Sequence, residues 1–304
     1  MRESQVQEYG PYLLACAIRL YPTSSEVLDI LLSHNLGDIN TYPPQSQTRG
    51  PPSRPRFPPI PPIPPRQAVP SLNQHTPLGY AIRGMPARHE LGYCNVQLVG
   101  RILDVFGNAN SITTFSFNGG GSQTALLDAI ETKSGEMVRL LLRHGAEVNE
   151  PARFSLKRTP LQKAVELGSL DIIRLLLSKG ADVNAPPAAR GGGTALQFAA
   201  IGGNCTIAKL LIDHGAQFDI PPSPYGHGRW PLEGAAENGR IDMIQFLWNA
   251  NRGQFDDRQC DRAKRYAEYY GHNACRDLID ALMAARQAMF QPQAIEDIDV
   301  YIIS

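Results

Sequence analysis

Apolar residues recur at helical spacing through the middle of the chain, in short blocks separated by turn residues. The runs Met137–Arg143, Ile172–Ser178 and Ile207–Asp213 share one order of positions: two apolar residues, a basic residue, three apolar residues and a polar one. This spacing predicts a helix with one buried face. A shorter apolar block precedes each run, so the pattern predicts pairs of helices.

The pairs repeat with a period of 35 residues, which takes precedence over any local assignment of secondary structure. A threonine precedes each first helix as its cap, and Pro160 suits the first helical position. A glycine follows each second helix, where a left-handed residue is needed. The equivalent residues are Thr124, Thr159 and Thr194, and then Gly145, Gly180 and Gly215.

This unit resembles the ankyrin repeat, whose pattern is Thr-Pro-Leu-His-x-Ala, then a second helix and Gly-Ala-Asp-Val-Asn. The match is specific over residues 118–250, and the long loops resemble ankyrin arrays common in filamentous fungi. The family histidine is replaced by Gln162 and Gln197, and by Leu127, so we expect the hydrogen bond between repeats to be kept at best in part. The resemblance implies an all-α fold, an ankyrin-repeat solenoid of about six helix-turn-helix repeats with projecting hairpin loops and a C-terminal cap.

Weaker copies of the unit flank the regular ones and define the expected domain organisation. We expect a divergent N-terminal ankyrin repeat at 1–42, a disordered Pro/Arg-rich insertion at 43–73, a divergent repeat at 74–117, regular repeats with the cap at 118–290, and an acidic-apolar tail at 291–304.

The bulk composition limits the classes of partner. Lys plus Arg and Asp plus Glu both number 29, so the formal net charge is zero and no overall electrostatic attraction to nucleic acid or to an anionic membrane is expected. We therefore expect no direct binding to either. No long apolar run or leader-like segment is present. The five cysteines form no C-x-x-C pair and are interpreted as buried thiols in a reducing compartment. We therefore expect an intracellular protein, in the cytoplasm, the nucleus or both.

The Pro/Arg-rich insertion carries two short docking patterns. Residues 43–70 contain twelve prolines, and between Ile39 and His89 there are six arginines and no acidic residue. R-x-x-P-x-x-P and P-x-x-P-x-R are the two orientations in which Src-homology-3 domains bind polyproline, so such a domain is a candidate partner. A solvated linker is the simpler alternative. The motif residues are Arg56, Pro59 and Pro62, and then Pro61, Pro64 and Arg66.

Enzyme signatures are missing from the sequence. It has no G-x-S-x-G, no Gly-Lys of a P-loop and no G-x-G-x-x-G. His34, His144 and His214 fall in the last turn of a second helix, where histidine suits the carbonyl-rich end. We therefore predict no catalytic residue, no cofactor and no metal.

The resemblance places binding on the concave surface, which is formed by finger tips and the exposed side of each first helix. Phe154, Arg190 and Tyr225 stand in the fingers, and aromatic residues and arginine are the types that anchor interfaces. Phe154 and Tyr225 could instead pack on the adjacent hairpin. The first-helix candidates are Lys163, Glu166, Gln197, Glu233 and Glu237.

These observations favour a non-enzymatic adaptor or regulator that binds other proteins. A transcription co-regulator that acts through a DNA-binding partner is the alternative, because some fungal ankyrin proteins have this role. An enzyme without a recognisable motif is a remote third alternative.

Overall fold

Helices occupy the apolar blocks in pairs, as the hydrophobic pattern predicts. The computed structural model describes residues 13–18, 25–33, 36, 76–83, 95–114, 122–152, 156–225 and 228–290. Within them the fold is all-α apart from two short strands, which confirms the predicted fold class. The chain forms two units, residues 1–188 and 189–304.

Unit 1 consists of helix pairs and one small hairpin. Its described elements are α1 (13–18), α2 (Ser25–Leu32), α3 (Pro77–Arg83), α4 (Val96–Phe106), β1 (Ile112–Thr114), β2 (Gln123–Thr124), α5 (Ala125–Glu131), α6 (Gly135–Arg143), α7 (Pro160–Glu166) and α8 (Leu170–Ser178). First helices α3, α5 and α7 pack side by side, and the second helices α4, α6 and α8 pack alongside one another. The core lies between these two rows.

Unit 2 continues the same order of elements with a longer last pair. Its elements are α9 (Ala195–Gly202), α10 (Cys205–Asp213), α11 (Pro231–Glu237), α12 (Ile241–Ala250), α13 (Asp257–Tyr269) and α14 (Asn273–Phe290). Helix α11 packs between α9 and α13, and α14 covers α12 and α13. In the described residues, no helix combines the length and the apolar composition needed to cross a bilayer.

The predicted helix ends are confirmed in detail. The Thr159 hydroxyl accepts a hydrogen bond from the Gln162 N–H, and Pro160 stands at the first helical position of α7. After α8, Gly180 has a φ of +82°, and the Ala181 N–H donates to the Leu176 carbonyl. A residue in the left-handed conformation turns the chain away from the helix here, and glycine adopts that conformation without steric strain because it has no Cβ.

The hydrogen bond between repeats is kept at Gln162 and at Gln197. Gln162 Nε2 donates to the carbonyl of Ala185 at 2.9 Å and to that of Pro186 at 3.1 Å. Its Oε1 accepts from the Thr159 N–H at 3.1 Å. Gln197 makes the equivalent contact with the Ile220 carbonyl at 2.9 Å. The bond is therefore kept in part across the three positions: an amide offers the donor and the acceptor that an imidazole would, whereas the Leu127 side chain offers neither.

Replacing Gln162 by leucine should destabilise the fold by about 1–3 kcal/mol, because the change leaves the Thr159 N–H and the carbonyl of Ala185 buried without partners. Chemical denaturation monitored by circular dichroism measures the loss. Gln97→Leu is the matched control, since Gln97 is an exposed residue of α4 in the same unit. Equal losses for the two variants would contradict this account of Gln162.

Candidate functional site

Strand pairing occurs within one finger in unit 1 and between two fingers in unit 2. In unit 1, β1 and β2 form an antiparallel hairpin in which Ile112 pairs with Thr124. In unit 2, the fingers that precede α9 and α11 meet through a single parallel bridge between Arg190 and Tyr225. The Gly191 N–H donates to the Tyr225 carbonyl at 2.9 Å, and the Tyr225 N–H donates to the Ala189 carbonyl at 3.2 Å.

This bridge brings two of the predicted finger residues together at the surface. Opposed residues in a parallel bridge carry their side chains on the same face. Arg190 is exposed, and 64% of Tyr225 is exposed. The Ser223 hydroxyl donates to the Ala189 carbonyl at 2.7 Å and further ties the two fingers. Tyr225 thus joins the neighbouring finger through its backbone, while its ring stays largely in solvent.

A network of ion pairs runs across the first helices of unit 1. The carboxylate of Asp128, which is fully buried, lies 2.6 Å from the guanidinium of Arg83. It also accepts hydrogen bonds from the hydroxyls of Thr113 and Thr114 at 2.6 and 2.7 Å. Glu131 pairs with the same arginine at 2.5 Å. Helix α3, the hairpin and helix α5 are therefore held together around one carboxylate.

Helix α7 extends this network with the two predicted residues Lys163 and Glu166. Lys163 lies 3.5 Å from the carboxylate of Glu131. Glu166 accepts two hydrogen bonds from Arg158, at 2.8 and 3.1 Å. Lys163, Glu166 and Arg158 line a cleft of about 220 Å³ together with Gln123.

The ion pairs of this network shift the pKa of Glu131. Partial burial would raise the pKa of Glu131, but the ion pairs with Arg83 and Lys163 outweigh it, and the pKa lies below its ordinary value of 4.5. A carboxylate with a lowered pKa in the folded state contributes stability above its unfolded pKa, and that contribution is lost as the pH falls through the folded pKa.

The first-helix side of unit 2 carries an aromatic cluster around Arg229. This guanidinium makes two hydrogen bonds to Glu237, at 2.7 and 3.0 Å, and lies 4.0 Å from the centre of the Tyr266 ring. The negative charge of Glu237 raises the pKa of the nearby Tyr270 hydroxyl. The Tyr269 ring meets the Tyr270 ring edge to face at 5.0 Å.

Two tyrosines of this cluster are open to solvent. Tyr269 is 81% exposed and Tyr270 is 51% exposed. The side chain of Arg229 is only 10% exposed, so the cluster has a buried ionic base beneath an aromatic surface. We call the side chains of Arg229, Glu237, Tyr266, Tyr269 and Tyr270 the tyrosine cluster.

An arginine and a glutamate eight residues apart recur in two repeats, and sequence reasoning missed this pair. Arg158 with Glu166 and Arg229 with Glu237 occupy the same two positions relative to the start of the first helix. Aligning the repeats with attention to polar residues would have revealed it. The repeat of α9 has Gly193 and Ile201 at these positions, and an added Cβ at Gly193 would lie 3.1 Å from the Phe198 ring.

Two of the first-helix candidates are not on the surface. Gln197 is 2% exposed and Glu233 is 3% exposed, so the expectation that both face a partner is wrong. Each closes the start of its own helix, because Gln197 accepts from the Thr194 N–H and Glu233 from the Trp230 N–H. Glu233 also pairs with Arg262 at 2.6 Å. Lys163, Glu166 and Glu237 retain partly exposed side chains.

Other predicted residues lie outside the described part of the chain. These are Phe154 and the polyproline motif residues Arg56, Pro59, Pro61, Pro62, Pro64 and Arg66. Their assignments remain predictions.

The described residues include potential metal ligands and four cysteines. Among them, no group of three or more His, Cys, Asp or Glu side chains is arranged to hold a metal ion. Cys260 and Cys275 are buried as predicted, whereas Cys16 and Cys205 are only half-buried. Burial raises the pKa of Cys260 to about 11, so its thiol is protonated at neutral pH.

Comparison with known families identifies the repeat pattern. The family model for ankyrin repeats, which spans three copies, matches residues 92–187 and again residues 187–259. Together these matches cover more than half of the chain. No curated protein sequence matches the chain.

Replacing Asp128 by alanine should destabilise the protein by about 3 kcal/mol, because Arg83, Thr113 and Thr114 lose their shared acceptor. Asp104→Ala is the control, since the Asp104 side chain is 70% exposed, and it should change stability by no more than about 0.5 kcal/mol. Urea denaturation of both variants tests this, and a loss for Asp128→Ala no larger than that of the control would contradict it.

Replacing Glu131 by glutamine should cost about 0.5 kcal/mol or less at neutral pH, since the pair is partly exposed. The cost should shrink below pH 4.5 and vanish once the wild-type carboxyl is protonated in the folded state. Thermal unfolding of the two proteins across this pH range measures the difference. A difference that stays constant with pH would show that the ion pair is not its cause.

Proposed function

We propose that this chain, which belongs to the ankyrin-repeat family, is a non-enzymatic adaptor or regulator that holds another protein on its first-helix sides and finger tips. Ankyrin repeats are general protein-interaction modules, so a protein partner follows from the family. The position of the contact surface and the regulatory role are our proposal.

The observation that carries the proposal is the bridged pair of Arg190 and Tyr225. Both side chains project from a backbone that is fixed by the bridge and by the Ser223 hydroxyl. Because this backbone is already ordered, a partner that covers the two side chains does not have to order the finger as well. Tyrosine and arginine are also the residue types most often found at the energetic centre of protein interfaces.

The tyrosine cluster supports the same interpretation at a second place in unit 2. The Arg229–Glu237 pair holds Tyr266 and Tyr270 in place, so the exposed rings of Tyr269 and Tyr270 form a pre-ordered surface. Such rings provide a large contact area with few rotatable bonds.

The identity of the captured partner distinguishes the two regulatory roles. A signalling or scaffolding protein would support the adaptor, whereas a sequence-specific DNA-binding protein would support the transcription co-regulator. Either partner should depend on the same side chains.

The double variant Arg190→Ala/Tyr225→Ala should weaken partner binding by about 2 kcal/mol or more, because both anchors are truncated. Affinity capture with quantitative mass spectrometry identifies the partner, and calorimetry with that purified partner gives the affinity. Tyr269→Ala should have a similar or smaller effect.

Two control variants separate a surface effect from general damage. Arg174→Ala removes an exposed arginine of α8, and Met289→Ala removes a side chain that is 85% exposed in α14. Both should bind the partner like the wild type. Capture of no specific partner, or equal binding by the double variant and the controls, would count against the proposal.

A further inference from the structure

A groove on the second-helix side of unit 1 combines an apolar floor with a cationic rim. Leu142 of α6 and Leu175 of α8 are half-buried at its base. Its volume is about 460 Å³, which is room for one or two large side chains. We call it the second-helix groove, and its lining residues are Glu136, Arg139, Leu142, Arg143, Leu175 and Lys179.

The cations of this groove stand together because of helix geometry. Arg139 and Arg143 are four residues apart on α6, so they lie on one side of the helix. Lys179 follows the last residue of α8 and closes the rim from the neighbouring repeat. All three side chains belong to exposed residues.

These cations differ from the arginines on the first-helix side. Arg83 and Arg158 are both bound to carboxylates of the same unit. In the described part of the chain, no carboxylate lies within ion-pair distance of Arg139, Arg143 or Lys179. Their charge is therefore available to a partner without the breaking of an internal pair.

We propose that the second-helix groove binds an acidic amphipathic segment of a partner protein. An apolar side chain of the segment would contact Leu142 and Leu175, and its carboxylates would pair with the three cations. This surface is separate from the first-helix sides and the fingers. A single chain could thus hold two partners at once.

The composition of the groove favours a peptide over a uniform polyanion. Three cations are few beside the number of phosphate contacts that nucleic-acid binding normally uses, and Glu136 on the rim would repel a continuous row of phosphates. A lipid bilayer would require apolar side chains that project outward, whereas Leu142 and Leu175 lie at the floor. A peptide can place its carboxylates next to the cations and leave Glu136 in solvent.

Selection of peptides from a random displayed library on the full chain tests the proposal. The variant Arg139→Glu/Arg143→Glu/Lys179→Glu reverses the rim, and Arg174→Glu reverses an exposed charge of α8 outside the groove. We expect enriched peptides that carry Asp or Glu beside spaced apolar residues. The triple variant should weaken their binding about tenfold or more, the control by less than about twofold, and added salt should weaken binding to the wild type.

Several results would overturn the proposal. They are enriched peptides without acidic residues, peptide binding unchanged in the triple variant, and groove-dependent binding of duplex DNA or of phosphatidylserine vesicles instead of peptides. If the triple variant unfolds, the milder Arg139→Gln/Arg143→Gln/Lys179→Gln set replaces it under the same criteria. The Arg190→Ala/Tyr225→Ala variant should bind the selected peptides normally, so failure here is distinguishable from failure of the finger surface.

Discussion

Each first helix begins with backbone N–H groups that have no partner inside the helix, and in the repeats of α7 and α9 a side chain three residues after the capping threonine accepts from the N–H of that threonine. The amides of Gln162 and Gln197 accept from the N–H of the capping threonine and donate to a carbonyl of the finger that follows. One buried side chain therefore both closes a helix and fixes a loop. The position of the finger tips and of the first-helix side chains depends on this hydrogen bond, since it couples the two elements that carry them.

The two sides of the repeats use charge in opposite ways. On the first-helix side, Arg83 and Arg229 are held by carboxylates, and little charge is left to steer a partner. Such pairs make the surface rigid and leave aromatic side chains such as Tyr269 to provide contact area. In the second-helix groove the cations face solvent instead. Contact area dominates one surface and charge dominates the other.

A repeat scaffold allows this difference between neighbours because each unit contacts only those next to it. The positions that hold an arginine and a glutamate in the repeats of α7 and α11 hold Gly193 and Ile201 in the repeat of α9. The missing side chain at Gly193 leaves room for the Phe198 ring. The ionic pair is thus absent from the repeat of α9, where a first helix still forms and runs to Gly202, and the first-helix surface changes character from repeat to repeat.

Local signals in the sequence determined the helix pairs, their caps and their glycine ends. The 35-residue period marks where each pair lies, and residues such as Thr159, Pro160 and Gly180 act on the backbone only a few positions away. Only the tertiary structure decided which polar side chains reach solvent. Gln197 and Glu233 read as surface residues but are buried, since the hydrogen bonds that hold them come from the helix start and, for Gln197, from the following finger. The bridge between Arg190 and Tyr225 joins residues of different repeats, and no local pattern encodes that distance.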